Sequence, residues 1–282
     1  MSLITELVVG AVAAAATVTG ATQSGATSAG PAHPRSDLAR VAAARIFFGH
    51  QSVGMNILGG LKALAAEEGV ALRIVESARG ADLEPGTVAH AFIGKNGDPR
   101  GKLEAFEAAM AAFSGRDPDV ALMKFCFVDF AADTDVAALF DRYQATMARL
   151  KAAHPRTVFV HLTVPLTTTG HGPRDFLKRL LGRTTSAAVN SRREAFSDLL
   201  RSRYGGREPL FDLAREESTA PDGQRETGTW GGRPVPALVP AYTDDGGHLD
   251  AVGARRVATA LVSMLGPLLA GGESGESRRE AR

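Results

Sequence analysis

The sequence predicts an α/β fold, a three-layer αβα sandwich around a five-stranded parallel sheet. Two observations predict it. From about residue 36 to 270, short apolar strand-like runs alternate with longer segments whose apolar residues recur at helical spacing. Five such runs joined by helical crossovers, with no internal repeat, make one domain with helices on both faces of the sheet.

The elements follow in order. Arg45-Ile46-Phe47-Phe48 reads as the first strand, and Ser52 to about Glu68 as a helix carried by Val53, Ile57, Leu58, Leu61 and Leu64. Residues 71–75 are the second strand. Residues 78–100, punctuated by Gly and Pro, read as irregular. Lys102 to Phe113 is helical, with Leu103, Phe106, Met110 and Phe113 on one face. Residues 119–125 form the third strand. A helix follows from about Thr134 to Ala153, capped by Asp133 or Thr134 and stopped before Pro155. Residues 157–162 are the fourth strand, Ser186 to Arg203 a helix, and residues 209–213 the fifth strand. Residues 214–247 form a long connection, and the final helix covers about Ala251 to Leu269. In such a sheet, ligands bind at the carboxyl ends of the strands.

Composition narrows the function classes. Of 282 residues, 44% are hydrophobic and 22% charged, as in an ordinary globular protein. A formal net charge of +1, with basic residues spread along the chain, gives no case for nucleic acid. The single cysteine, Cys126, excludes an intrachain disulfide and any multi-cysteine metal site. No Gly-x-Gly-x-x-Gly follows the first strand, which weakens a dinucleotide reading.

Residues 1–35 read as a leader. An apolar run at 7–18 is too short for a comfortable membrane span, so no stable membrane insertion is expected. The run and the small residues after it match a secretory signal peptide, but no Lys or Arg precedes Arg35. A signal peptide implies a secreted or periplasmic protein; a disordered leader implies a cytoplasmic one. Residues 271–282 offer nothing to bury and read as a frayed tail.

Two segments offer chemistry. Gly49-His50-Gln51-Ser52-Val53-Gly54 sets a serine at a strand-to-helix turn, where the first helical amides can stabilise an oxyanion. Ser52 also suits a plain helix N-cap. Asp244-Asp245-Gly246-Gly247-His248-Leu249-Asp250 sets a carboxylate three residues before a histidine, with Asp250 capping the last helix. Such a carboxylate can fix the imidazole tautomer and stabilise the imidazolium. The alternative is an exposed loop histidine.

On these segments the chain resembles the SGNH/GDSL hydrolase superfamily in a divergent form. The likeness spans roughly residues 42–270 in element order, with its specific motifs at the two ends. It implies a flavodoxin-like sheet and a triad of Ser52 as nucleophile, His248 as base and Asp245 as acid, with Asp244 as the substitute. It implies oxyanion donors after the second and third strands. Gly80 fits the first, whereas Val128 stands where the family has an asparagine. Asn96, in the turn Gly94-Lys95-Asn96-Gly97, is the candidate replacement donor; it also suits a plain turn. His50, Gln51 and Asp129 are candidates for substrate binding.

The resemblance implies a small-molecule or carbohydrate ester as substrate, an O-acetyl group if the protein is exported, with no cofactor and no metal. A catalytically impaired glycan-binding module and an O-acyltransferase remain open, and the oligomeric state is not read. The other reactive side chains have plainer readings. Cys126 could be a thiol nucleophile but reads more plainly as a core residue, His161 as a core or rim histidine, Lys124 as a strand-end lysine pointing into the cleft, and Glu216 and Glu217 as a solvated loop that could line the groove.

Overall fold

A computed structural model describes residues 34–113, 115–170 and 184–280 of the chain. The leader up to residue 33 lies outside the described residues. Six parallel strands form the central sheet: β1 (Arg45–His50), β2 (Arg73–Glu76), β3 (Thr87–Phe92), β4 (Val120–Met123), β5 (Val158–Leu162) and β6 (Leu210–Phe211). Their order is β2-β3-β1-β4-β5-β6. The helices are α1 (Pro34–Val41), α2 (Val53–Glu67), α3 (Pro99–Ala111), α4 (Val136–Ala153), α5 (Ser186–Tyr204), α6 (Leu213–Ser218) and α7 (Ala251–Glu280).

The αβα class is as the sequence predicts, with one strand more. β3 lies within the stretch read as irregular, and it takes the place beside β1, in register Arg45↔Thr87 to His50↔Phe92. β4 borders β1 on its other side, from Ile46↔Val120 to Gly49↔Met123. Residues 214–247 are not featureless either. They hold the end of α6 and an antiparallel hairpin of β7 (Thr227–Trp230) and β8 (Arg233–Pro236).

Strand alternation sorts the core into two layers. Ile46 and Phe48 point to one face and join Leu38 of α1, Ile57 and Leu61 of α2, and Val257 and Leu261 of α7. Phe47 points to the other face, among Phe106 of α3, Tyr143 of α4 and Phe196 of α5. Its ring lies 5.9 Å from Phe106 and 4.7 Å from Phe113, centroid to centroid. Each large side chain buried this way contributes about 1.5–3 kcal/mol. α7 has the length and mean hydropathy (1.2 over Ala251–Ala270) of a membrane span, and its apolar side packs on α1 and α2. It continues to Glu280, past the point where the sequence suggests a frayed tail.

The chain leaves β1 through α2 on one face and later crosses by α3, on the other face, to β4. The carboxyl end of β1 is therefore a topological switch point, where a crevice opens between diverging connections. Ser52 stands there.

Candidate active site

The turn after β1 is built by close packing. The first turn of α2 passes so near the strand end that a Cβ on Gly54 would sit 2.3 Å from the His50 ring. Only glycine fits there. The tight passage leaves Ser52 at φ 50° and ψ −107°, the one described non-glycine residue with positive φ. Ser52 makes no side-chain cap bond to α2. Its hydroxyl instead contacts Nε2 of His248. Ser52 thus holds the N-cap position by its backbone, and its hydroxyl serves the histidine instead of the helix.

The loop before α7 fixes that histidine. His248 Nδ1 lies 2.5 Å from Asp245 Oδ2. Asp245 Oδ1 accepts from the amides of Gly247 (2.9 Å) and His248 (2.7 Å). These bonds, the His248 amide foremost, hold the Asp245 carboxyl well below the usual carboxylate range. An ionised Asp245 places the ring proton on Nδ1 and leaves Nε2 free to accept from Ser52. Asp245, not Asp244, takes this position. Asp250 caps α7 through the Gly253 amide at 2.8 Å, as the sequence predicts. The ring of Phe127 meets the imidazole edge-on at 5.4 Å.

The other sequence candidates sort differently. Gly80 is not brought to the site: β3 separates β2 from β1, and Gly80 packs against Ala112 and Phe113 at the far end of α3. The turn beside Ser52 comes instead from β3. Ile93 N donates to His50 O (3.0 Å), and Gln51 Nε2 donates to Gly94 O (3.0 Å). Gln51 thus braces this turn, which is a correction to its reading as a substrate contact. Asn96 lies in the same turn. Its Oδ1 accepts from Lys102 Nζ at 3.0 Å, and Nδ2 has no partner among the described residues. The amides of Ser52 and Gly94 also donate to no protein acceptor among the described residues.

His50 and Asp129 are corrected as well. His50 is fully buried, 3.1 Å from His90 Nδ1 through its Nε2. Burial foremost, then the neighbouring His90 and Lys124, pushes its pKa down to about 3. It supports the turn from below and cannot reach substrate. Asp129 has no exposed side-chain surface. Its carboxylate accepts from Lys102 Nζ (2.7 and 2.8 Å), Gly97 N (2.9 Å) and Cys126 N (2.6 Å). It therefore ties the loops after β3 and β4 together beneath Ser52. Val128, one residue earlier, is 46% exposed and lines the cleft beside His248.

Lys124 is buried, not aimed into the cleft, and bonds to Phe125 O (3.2 Å) and Cys126 Sγ (3.5 Å). Burial lowers its pKa. Glu217 is likewise buried, on α6, and accepts from Leu166 N at 2.7 Å. Glu216 pairs with Arg256 at 3.2 Å. Cys126 and His161 are core residues, as read. Among the described residues no group of three His, Cys, Asp or Glu side chains is placed to hold a metal.

A cleft of about 530 Å³ opens beside the Asp245–His248 loop. Phe127 and Val128 line it together with the hydroxyl residues Thr168, Thr184 and Ser186 and with Arg193. Sequence reading missed Arg193 and Lys102. Both look like ordinary basic residues on amphipathic helices, and only the tertiary fold buries them.

No protein-family model matches the chain, and no curated protein does. Several solved structures are similar to it at a distance. One is a GDSL-like lipase from Bacteroides thetaiotaomicron, at 12% identity over 80% of this chain and 87% of that one, TM-score 0.46. Another is the periplasmic domain of a lipopolysaccharide acetyltransferase from Salmonella ser. Paratyphi A, at 12% identity over 78% and 83%, TM-score 0.45. A third is an acetyl xylan esterase, at 15% identity over 77% and 97%, TM-score 0.42.

Proposed function

We propose that the protein is a divergent serine hydrolase of the SGNH/GDSL type that cleaves a carboxylic ester through an acyl-enzyme. The observation that carries this reading is the unbroken contact Ser52–His248–Asp245 at the switch point of the sheet. A serine hydroxyl needs an adjacent base to attack, and the base needs a third group to orient it.

In the reaction, Ser52 Oγ attacks the ester carbonyl carbon as His248 Nε2 takes its proton. The amides of Ser52 and Gly94, with Asn96 Nδ2, are the donors for the oxyanion. Each such donor is worth about 100- to 1,000-fold in turnover. His248 returns the proton to the leaving alcohol, whose bond to the acyl carbon breaks. Water then attacks the acyl-enzyme, giving its proton to His248, and the acid leaves as Ser52 is re-protonated.

The hydroxyl-lined cleft beside His248 supports a polar alcohol portion, an acylated carbohydrate being the finer reading. The same space could admit a sugar hydroxyl in place of water, so acyl transfer is the second reading. A fluorophosphonate probe tests the first. Wild type should be labelled, and Ser52→Ala and His248→Ala should each lose at least about 100-fold of the labelling rate. A folded, unlabelled wild type would instead mark a binding module. Product analysis with and without a sugar acceptor separates transfer from hydrolysis.

A further inference from the structure

We propose that the cleft recognises a carboxylate on the alcohol portion of its ester, so that the substrate is an acidic polyol or sugar ester, and that Arg193 is the residue that binds it. This deepens the hydrolase reading and rests on it for the placing of the ester.

Arg193 is 5% exposed, on α5. Its guanidinium is held from two sides. Nε donates to Phe127 O (3.0 Å), and Nη1 donates to Thr167 Oγ1 (2.8 Å) and to Asn190 Oδ1. Asn190 is itself fixed, its Nδ2 donating to Thr167 O (2.7 Å) and Pro236 O (3.1 Å). The remaining nitrogen, Nη2, has no partner among the described residues, and Arg193 lines the cleft that holds His248. A guanidinium held at Nε and Nη1 thus keeps the N–H groups of Nη2 without a described partner on a residue that lines the cleft.

The guanidinium carbon lies 5.7 Å from the Phe127 ring centroid, a weak partner for its charge, and no carboxylate among the described residues answers it. No carboxylate lies within ion-pair distance of Arg193 among the described residues. Glu217 is the carboxyl whose field reaches it, and burial raises Glu217 to about 8. At neutral pH Glu217 is then mostly uncharged. Burial lowers Arg193 only to about 10, so it stays cationic. Among the described residues the one carboxylate on the cleft wall, Asp245, is engaged by His248 and the Gly247 amide. A buried cation without a counter-ion is costly, and an incoming carboxylate offsets that cost with charge-assisted hydrogen bonds in the planar geometry a guanidinium matches. The hydroxyls of Thr168, Thr184 and Ser186 suit the rest of a polyhydroxylated ligand.

The test uses the Ser52→Ala protein, so that binding is read without turnover. The ligands are fully O-acetylated methyl glucuronoside and its uncharged glucuronamide, which share a shape and differ in charge. Calorimetric or NMR titration should show the acid binding at least about tenfold tighter than the amide at low salt, a contrast typical of one charge-assisted contact. Adding Arg193→Gln should bring the ratio to about one, and Arg193→Lys should keep part of it. High salt should shrink the ratio in Ser52→Ala itself, a readout that holds even if the Arg193→Gln protein does not fold. A ratio near one in Ser52→Ala, a ratio unchanged by Arg193→Gln, or binding of neither ligand overturns the proposal. Failure of the hydrolase reading shows separately, as a wild type that is not labelled by the fluorophosphonate and yet retains the binding contrast.

Discussion

At the scale of single residues, Ser52 is the one that departs from easy geometry. A positive φ on a serine costs of the order of 1–3 kcal/mol, and such strain persists only where the surroundings hold it. Here the close passage of α2 over His50 holds it. Ser52→Gly should therefore be more stable than Ser52→Ala by about 1 kcal/mol, since both lose the hydroxyl and only glycine accepts the backbone angles. Denaturant melts of the two variants measure this difference; equal midpoints would mean that the turn is not strained. Asp245 and His248 were legible in the sequence because their contact is local, three residues apart across Gly246 and Gly247. Asp129 stands out in the sequence, but its role does not. Its partner Lys102 is distant in sequence, and nothing local reveals that this pair is buried. Arg193 was invisible for the same reason, since its neighbours Phe127 and Thr167 come from two other loops.

At the scale of elements, the pairing of α2 with α7 positions the two halves of the site. Gly59 and Gly60 lie side by side in α2 and meet different surroundings. A Cβ on Gly60 would fall 2.3 Å from the Ala254 carbonyl of α7, whereas one on Gly59 meets nothing within 4 Å. Gly60→Ala should destabilise by about 1–3 kcal/mol through overpacking. Gly59→Ala should stabilise by about 0.5–1 kcal/mol through helix propensity. Thermal melts of both, with probe labelling, check the prediction; Gly60→Ala should also slow labelling, because it pushes His248 away from Ser52. The long helices α2, α3, α4, α5 and α7 are legible because their apolar spacing is long and regular; the short α1 and α6 are not, having too few turns to show a period. β3 was missed because Thr87-Val88-Ala89-His90-Ala91-Phe92 mixes small, polar and apolar residues, and Thr87 and His90 are buried against expectation for their types. That omission brings Gly80 to the site in place of the turn after β3, since the strand beside β1 decides which turn abuts Ser52. α3 begins three residues before the helical spacing at Lys102, where Asp98 followed by Pro99 is a capping signal.

For the whole molecule, buried ionisable groups set the pH range of stability. Glu217 is raised to about 8 by burial, so the stability it contributes is present at acid pH and is lost as pH rises through that value. His50 is lowered to about 3 and His161 to about 4, so their contribution is present above the ordinary histidine value and is lost as pH falls. Stability should peak between these two limbs. Glu217→Gln keeps the acceptor for Leu166 N and removes the alkaline limb. Relative to wild type it should gain more than about 1 kcal/mol on going from pH 5 to pH 8, as measured by urea denaturation at each pH. A constant difference across that range would assign the pH response to other groups.

Ser52 and His248 are separated by 196 residues. β1 and its turn are made early in synthesis, but the histidine arrives only ahead of α7, and α7 must dock on α2 before the two meet. A nascent chain that exposes Ser52 therefore carries an unarmed hydroxyl. On the proposed hydrolase reading, reactivity at Ser52 is then a report on completed folding: species halted before α7 docks should be silent to a serine-directed probe, however native their sheet.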